Sequence, residues 1–167
     1  MTRFGPVLRS VQPTTTFTNF APLPLRLIVG YGFMAHGYAK LARGPEHFIS
    51  ILAALGVPAP VFMGWLTIGT ELIGGLAVLV GAFVIFVSAP LAAVLLVAAL
   101  TVHLPYGFSS IKLQAVTSAG AQFGKPGYEL DLLYLACLTT LVLTGAGPLS
   151  VDKWIVRREK RHESTGP

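Results

Sequence analysis

Few side chains in this sequence can do chemistry, and their placement makes them informative. Glu71 stands alone in an apolar run, His36 and Lys40 are spaced i, i+4 and so share one face of a helix, His103 ends a second apolar run, and Glu129 and Asp131 open a third. A carboxylate and bases held away from water can pass protons or hold an anion, because a low dielectric strengthens every charge interaction. The same residues also admit a plain structural use. Glu71 suits an ion pair or hydrogen bond between helices. Lys40, Glu129 and Asp131 suit snorkelling or helix-end charges at an interface, and His36 and His103 suit satisfied core or interface histidines. The residues alone leave both uses open.

The elements that must position these groups follow from composition. Of 167 residues, 53% are hydrophobic and only 11% charged, and the mean hydropathy of +0.70 is that of a lipid-facing chain rather than of a water-facing domain. The first span is predicted over Leu23–Leu41, entered by Pro22 and Pro24. Ala42–Ala59 is too short and polar to cross, and reads as an interfacial helix closed by Gly56 and Pro58. From Pro60 to Leu104 the only ionisable groups are Glu71 and His103. One helix of those roughly 45 residues would reach about 68 Å, twice a hydrocarbon core of about 30 Å, so the run must fold back near Gly81. That gives spans over Val61–Val80 and Phe83–Leu104, the latter kinked at Pro90, and a fourth over Leu130–Leu149. Glu71 then lies about 15 Å deep. The alternation of Ile111, Lys112, Leu113 and Gln114 predicts a short strand and a hairpin turning at Ser118–Gly120 within the long third connection.

The expected architecture is thus all-α and membrane-integral. Residues 1–22 form an N-terminal segment without the apolar core of a signal peptide and so retained, residues 23–150 a bundle of four transmembrane helices with a short interfacial helix after the first span and a longer outward loop between the third and fourth, and residues 151–167 a basic tail. Eight of the twelve Lys and Arg fall on the side of the two ends, which places both termini in the cytoplasm of a bacterial-type inner membrane. His36, Lys40, Glu71, His103, Glu129 and Asp131 then gather toward the opposite face. Arg157, Arg158, Lys160 and Arg161 fit the anionic lipid surface, and the few, terminal basic residues do not fit nucleic acid. The single cysteine, Cys137, excludes an internal disulfide and a CxxC redox pair. No GxGxxG after a strand, GxxxxGK[ST], HExxH or GxSxG occurs, so no cofactor or metal is demanded by motif, and spacing alone does not support His36 and His103 as haem ligands.

Gly30, Phe33, His36, Gly37, Lys40 and Leu41 follow GxxFxxHGxxKL, and Glu71, Gly74, Gly75 and Gly81 follow ExxGGxxxxxG. Together with Gly127, Glu129, Gly147, Pro148, Ser150 and Asp152, in order over residues 23–152, they make the chain resemble the DoxX family. It departs in lacking an Arg in the hairpin after Gly81 and in shortening the closing GPGxxSLD. The resemblance implies a four-helix membrane bundle linked to respiratory or sulfur redox biology, since the family includes membrane subunits associated with thiosulfate:quinone oxidoreductases. It therefore implies a quinone-linked subunit with protein partners or further copies of itself, with Glu71 and His36 as the first catalytic candidates. A small transporter for protons, solutes or lipid, and a non-catalytic anchor or assembly subunit, are the competing readings.

Overall fold

The computed structural model describes residues 18–164, with side chains through residue 161, so most of the N-terminal segment expected over residues 1–22 lies outside the described residues. The chain is mostly helical. Helix α1 is Pro22–Ala42, α2 is Pro45–Ala54, α3 is Pro60–Val80, α4 is Val84–Tyr106, α5 is Glu129–Thr144 and α6 is Val151–Ser164, while β1 (Leu113–Thr117) and β2 (Gly120–Phe123) sit between α4 and α5. Proline opens α1, α2 and α3, where its missing N–H has no partner to lose and its fixed φ suits the first turn. Gly81, at φ 70°, ends α3 in the left-handed conformation that lets the chain reverse.

Among the described residues two helices, α3 and α4, are long and apolar enough to cross a membrane. Helix α1 is as long, at 21 residues, but carries Arg26 and Lys40, and α5 has 16 residues, about 24 Å, before Gly145 turns the chain at φ 76°. The fourth apolar segment is thus shorter as a helix than the Leu130–Leu149 expected, because its Gly-rich end leaves helical geometry. Each of these four helices packs on two others in the order α1, α3, α4, α5 and back to α1. Their shared interior is Val29, Phe33, Val78, Val84, Leu91, Leu138 and Leu141. Phe33 meets Tyr134 edge to face at 5.5 Å between ring centres. Outward-facing side chains are also large and apolar, Ile73, Phe86 and Leu143 being 73%, 76% and 80% exposed, as lipid contact requires and water would penalise.

Helices α1 and α3 approach backbone to backbone. A Cβ on Gly30 would lie 2.7 Å from the Gly75 carbonyl oxygen, so only glycine permits this spacing, and the close approach fixes the register of the two helices that carry Lys40 and Glu71.

The end shared by the start of α1, the α3–α4 turn and the segment after α5 is held by two side chains. Arg26 is 2% exposed and donates hydrogen bonds to the carbonyls of Val78, Leu79, Ala146, Pro148 and Leu149. Arg26, one of the eight basic residues on the side of the two ends, is internal, because five backbone carbonyls at helix and turn ends need a donor there. Asp152 accepts from the amides of Phe83 at 2.7 Å and Val84 at 3.3 Å, capping α4. The expected polar tail is the amphipathic helix α6, which begins at Val151.

At the other end β1 and β2 pair antiparallel, from Leu113 opposite Phe123 to Thr117 opposite Gly120, around the expected turn. Their side chains are all exposed. The hairpin is tethered instead through backbone bonds from Gly127 to Ser109 and Tyr128 to Gly107, and through Glu129, whose carboxylate accepts the Ser110 amide at 2.9 Å. Lys112 donates to the Tyr106 carbonyl, and the Tyr106 hydroxyl, 3.0 Å from Lys125 Nζ, holds that ammonium above its ordinary pKa.

Candidate functional site

The ionisable residues at this end form two separate pairs. Lys40 Nζ lies 2.7 Å and 2.6 Å from the two carboxylate oxygens of Glu71. The Glu71 side chain is 6% exposed and that of Lys40 22%, so Glu71 is the deeper partner. Lys40 also sits 5.0 Å from the centre of the Phe48 ring, a cation–π contact that fixes the long side chain on its far side. The second pair joins His103 Nδ1 to Asp131 Oδ2 at 2.6 Å across α4 and α5, with Asp131 buried at 5%. Among the described residues no hydrogen bond or ion pair connects the two.

Both pairs are presented by the same backbone device. Residues Thr70–Gly74 of α3 and Ala99–His103 of α4 each form a π turn, carrying Glu71 and His103 respectively. A π turn inserts one extra residue into a helix and leaves part of the hydrogen-bond ladder open, and such turns concentrate at functional sites. Here each one rotates an ionisable side chain toward a neighbouring helix.

The remaining expected site residues lie elsewhere. His36, one turn before Lys40, is exposed and makes no hydrogen bond to Glu71; with Arg43 and His47 it lines a small cavity between α1 and α2. Glu129 ties down the loop before α5 rather than joining either pair. Arg157, Arg158, Lys160 and Arg161 are exposed on α6, with the Arg158 guanidinium 4.8 Å from the Trp154 ring centre. Sequence reasoning missed Arg26 and the His103–Asp131 pairing. Arg26 gives no local signal, since its partners are as far as 123 residues away. His103 and Asp131 are both visible in sequence, but their meeting depends on how α4 and α5 turn about their axes.

The Lys40–Glu71 pair borders a groove of about 310 Å³ enclosed by α2, α3 and α4. Its walls are apolar, with Leu52 and Leu55 from α2, Met63 and Leu66 from α3, and Val94 and Val97 from α4. Apolar walls with a few convergent polar groups describe a small-molecule site, the walls supplying affinity and the polar groups orientation. A carbonyl-bearing ring could accept from Lys40, while Glu71 holds Lys40 in place and offers a carboxyl for proton exchange.

The DoxX family model matches residues 21–104, the part of the chain that contains both members of the Lys40–Glu71 pair and every wall of the groove. A Bacillus subtilis (strain 168) protein described as "Putative oxidoreductase CatD" is 32% identical over 138 residues, covering 83% of this chain and 89% of the relative. No solved structure matches. With a family match over half of the chain and long helices that turn large apolar side chains outward, the protein is a membrane protein, and the chain belongs to the DoxX family.

Proposed function

We propose that the protein is a membrane subunit of a quinone-linked oxidoreductase assembly, and that the groove between α2, α3 and α4 receives the quinone with its head group at Lys40 and Glu71. The observation that carries this reading is the meeting of apolar walls and one ion pair in a single groove. A relative described as an oxidoreductase supports the redox class. A bound quinone supplies a two-electron acceptor, with the electrons coming from a partner redox subunit. The chain's own residues orient and exchange protons. Lys40 donates a hydrogen bond to a head-group oxygen, and Glu71 positions Lys40 and passes a proton toward the site as the ring takes up two electrons and two protons.

In this reading α1, α3, α4 and α5 all cross the bilayer in alternating directions. Arg26 and Asp152 tie the start of α1, the α3–α4 turn and the end of α5 together, which supports placing those three points at one membrane face. The basic excess supports assigning that face, and both termini, to the cytoplasm of a bacterial-type inner membrane.

The test begins with intact protein extracted in mild detergent, followed by solvent extraction and quantification of co-purifying quinone. A second arm reconstitutes the protein in lipid nanodiscs and titrates decylubiquinone against tryptophan fluorescence. Quinone should co-purify with the native protein and quench it saturably. Ala93→Trp, which fills the groove from α4, should abolish both while the protein stays folded. Native protein that carries no quinone and shows only linear quenching rejects the proposal.

A further inference from the structure

A second cavity, of about 230 Å³, lies where α1 passes into α2. Four of its lining side chains are nitrogen donors, His36, Lys40, Arg43 and His47, and no carboxylate lines it. Lys40 already faces Glu71, and the Glu46 carboxylate lies beside Gly44 at the edge of the cavity, so the groups left to meet a ligand are the Arg43 guanidinium and the two imidazoles. Arg43 presents a planar fork of N–H groups suited to phosphate oxygens, and each imidazole can offer a ring N–H to a third oxygen. Gly44, which also lines the cavity, immediately precedes the ten-residue α2, whose positive dipole end is met by Glu46 of its own first turn.

The shape of the surroundings narrows the ligand. This cavity shares Lys40, Phe48 and Ile51 with the apolar groove, so a polar compartment opens directly onto an apolar one. Ile51, common to both, and Leu55, a wall of the groove, are partly exposed and form an apolar track along α2. A freely diffusing anion would use only the first compartment. A molecule with a phosphate head and apolar chains uses both. We infer that the cavity at the α1–α2 junction binds the phosphate of an anionic phospholipid, held by Arg43, His36 and His47, with its chains leaving along Ile51 and Leu55.

Ile51 and Leu55 also line the groove assigned to the quinone, so lipid chains and quinone compete there, while the phosphate contacts at Arg43, His36 and His47 lie outside it and are tested separately. The test uses delipidated full-length protein in detergent and native mass spectrometry with three probes: phosphatidylglycerol, phosphatidylcholine and inorganic phosphate. Phosphatidylglycerol should bind more tightly than phosphatidylcholine. Arg43→Gln should weaken phosphatidylglycerol about fivefold, and Arg43→Gln combined with His47→Gln should bring it down to the phosphatidylcholine level. Both residues are exposed, and unchanged size-exclusion elution and apparent Tm would show that the variants remain folded. If the double variant does not fold, the single exchange His36→Gln must weaken phosphatidylglycerol selectively. Undiminished phosphatidylglycerol binding in the folded variants overturns the site. Inorganic phosphate binding as tightly as the lipid overturns the lipid assignment in favour of a free anion.

Discussion

Replacing one member of the Lys40–Glu71 pair perturbs the site most directly, and the two members should not be equivalent. Removing a partner from a fully buried ion pair costs about 3 to 5 kcal/mol, because the survivor is left charged in a low dielectric. After Glu71→Gln the survivor is Lys40, whose side chain keeps 22% of its surface exposed and whose long stem can carry the ammonium toward water. Gln also retains one acceptor for it. The cost should therefore fall at the lower end, about 3 kcal/mol. After Lys40→Met the survivor is Glu71, 6% exposed and held on the inner face of a π turn, so the cost should reach the upper end, about 5 kcal/mol. For a chain of this size those losses correspond to falls in apparent Tm of about 6 to 12 °C and about 10 to 20 °C. The combined variant should be less destabilised than the sum of the two, with a coupling of up to about 3 kcal/mol. The assay is heat treatment of detergent-solubilised protein followed by size-exclusion fluorescence, with bound quinone measured on the same samples. Single variants within about 1 °C of wild type, carrying wild-type quinone, would refute the reasoning, since the pair would then contribute neither to stability nor to binding.

Three further outcomes follow from the other end of the molecule and from the helix contact. Arg26→Gln leaves several of five carbonyls without a donor and should destabilise the protein by about 3 kcal/mol or more, seen as a lower Tm and faster proteolysis between Gly145 and Ser150. Asp152→Ala removes the cap on α4 and should cost about 1 to 2 kcal/mol, with Asp152→Asn recovering part of the loss in the same melting assay. Gly30→Ala forces α1 from α3 and should cost about 1 to 3 kcal/mol while lowering quinone content, because the shift also moves Lys40 relative to Glu71.

Long apolar runs could be placed from sequence because they obey simple constraints of length and hydropathy. The start of α1 at Pro22, the reversal at Gly81 and the β-turn before Gly120 all follow from residues that act locally. Antiparallel neighbours and depth offered Glu71 two partners, His36 and Lys40, and it pairs with Lys40. What escaped the sequence acts over distance or depends on rotation. Arg26 looks like any interfacial arginine until residues 146–149 return to it. His36 shares a helical face with Lys40, yet faces the basic cavity rather than Glu71, since one turn of rise moves it beyond the carboxylate. The π turns leave no mark in composition, and α6 was hidden because its charges dominate its apolar positions.

The Arg26 tie also sets a clock on biosynthesis. Its nearest carbonyl partner in α3 is 52 residues downstream, but its bond to Ala146 spans 120 residues. At about 5 to 20 residues per second, the ribosome needs roughly 6 to 24 s after making Arg26 before that acceptor exists, and Pro148 and Leu149 follow it. Throughout that interval a guanidinium at the start of the first helix has at most half of its final partners, and it must wait at the headgroup level or beside the insertion machinery. A chain stalled or cut at Thr144 would possess every long apolar helix and still lack the segment that draws Arg26 inward. Quality control that probes for an unmated arginine could therefore tell finished copies from unfinished ones.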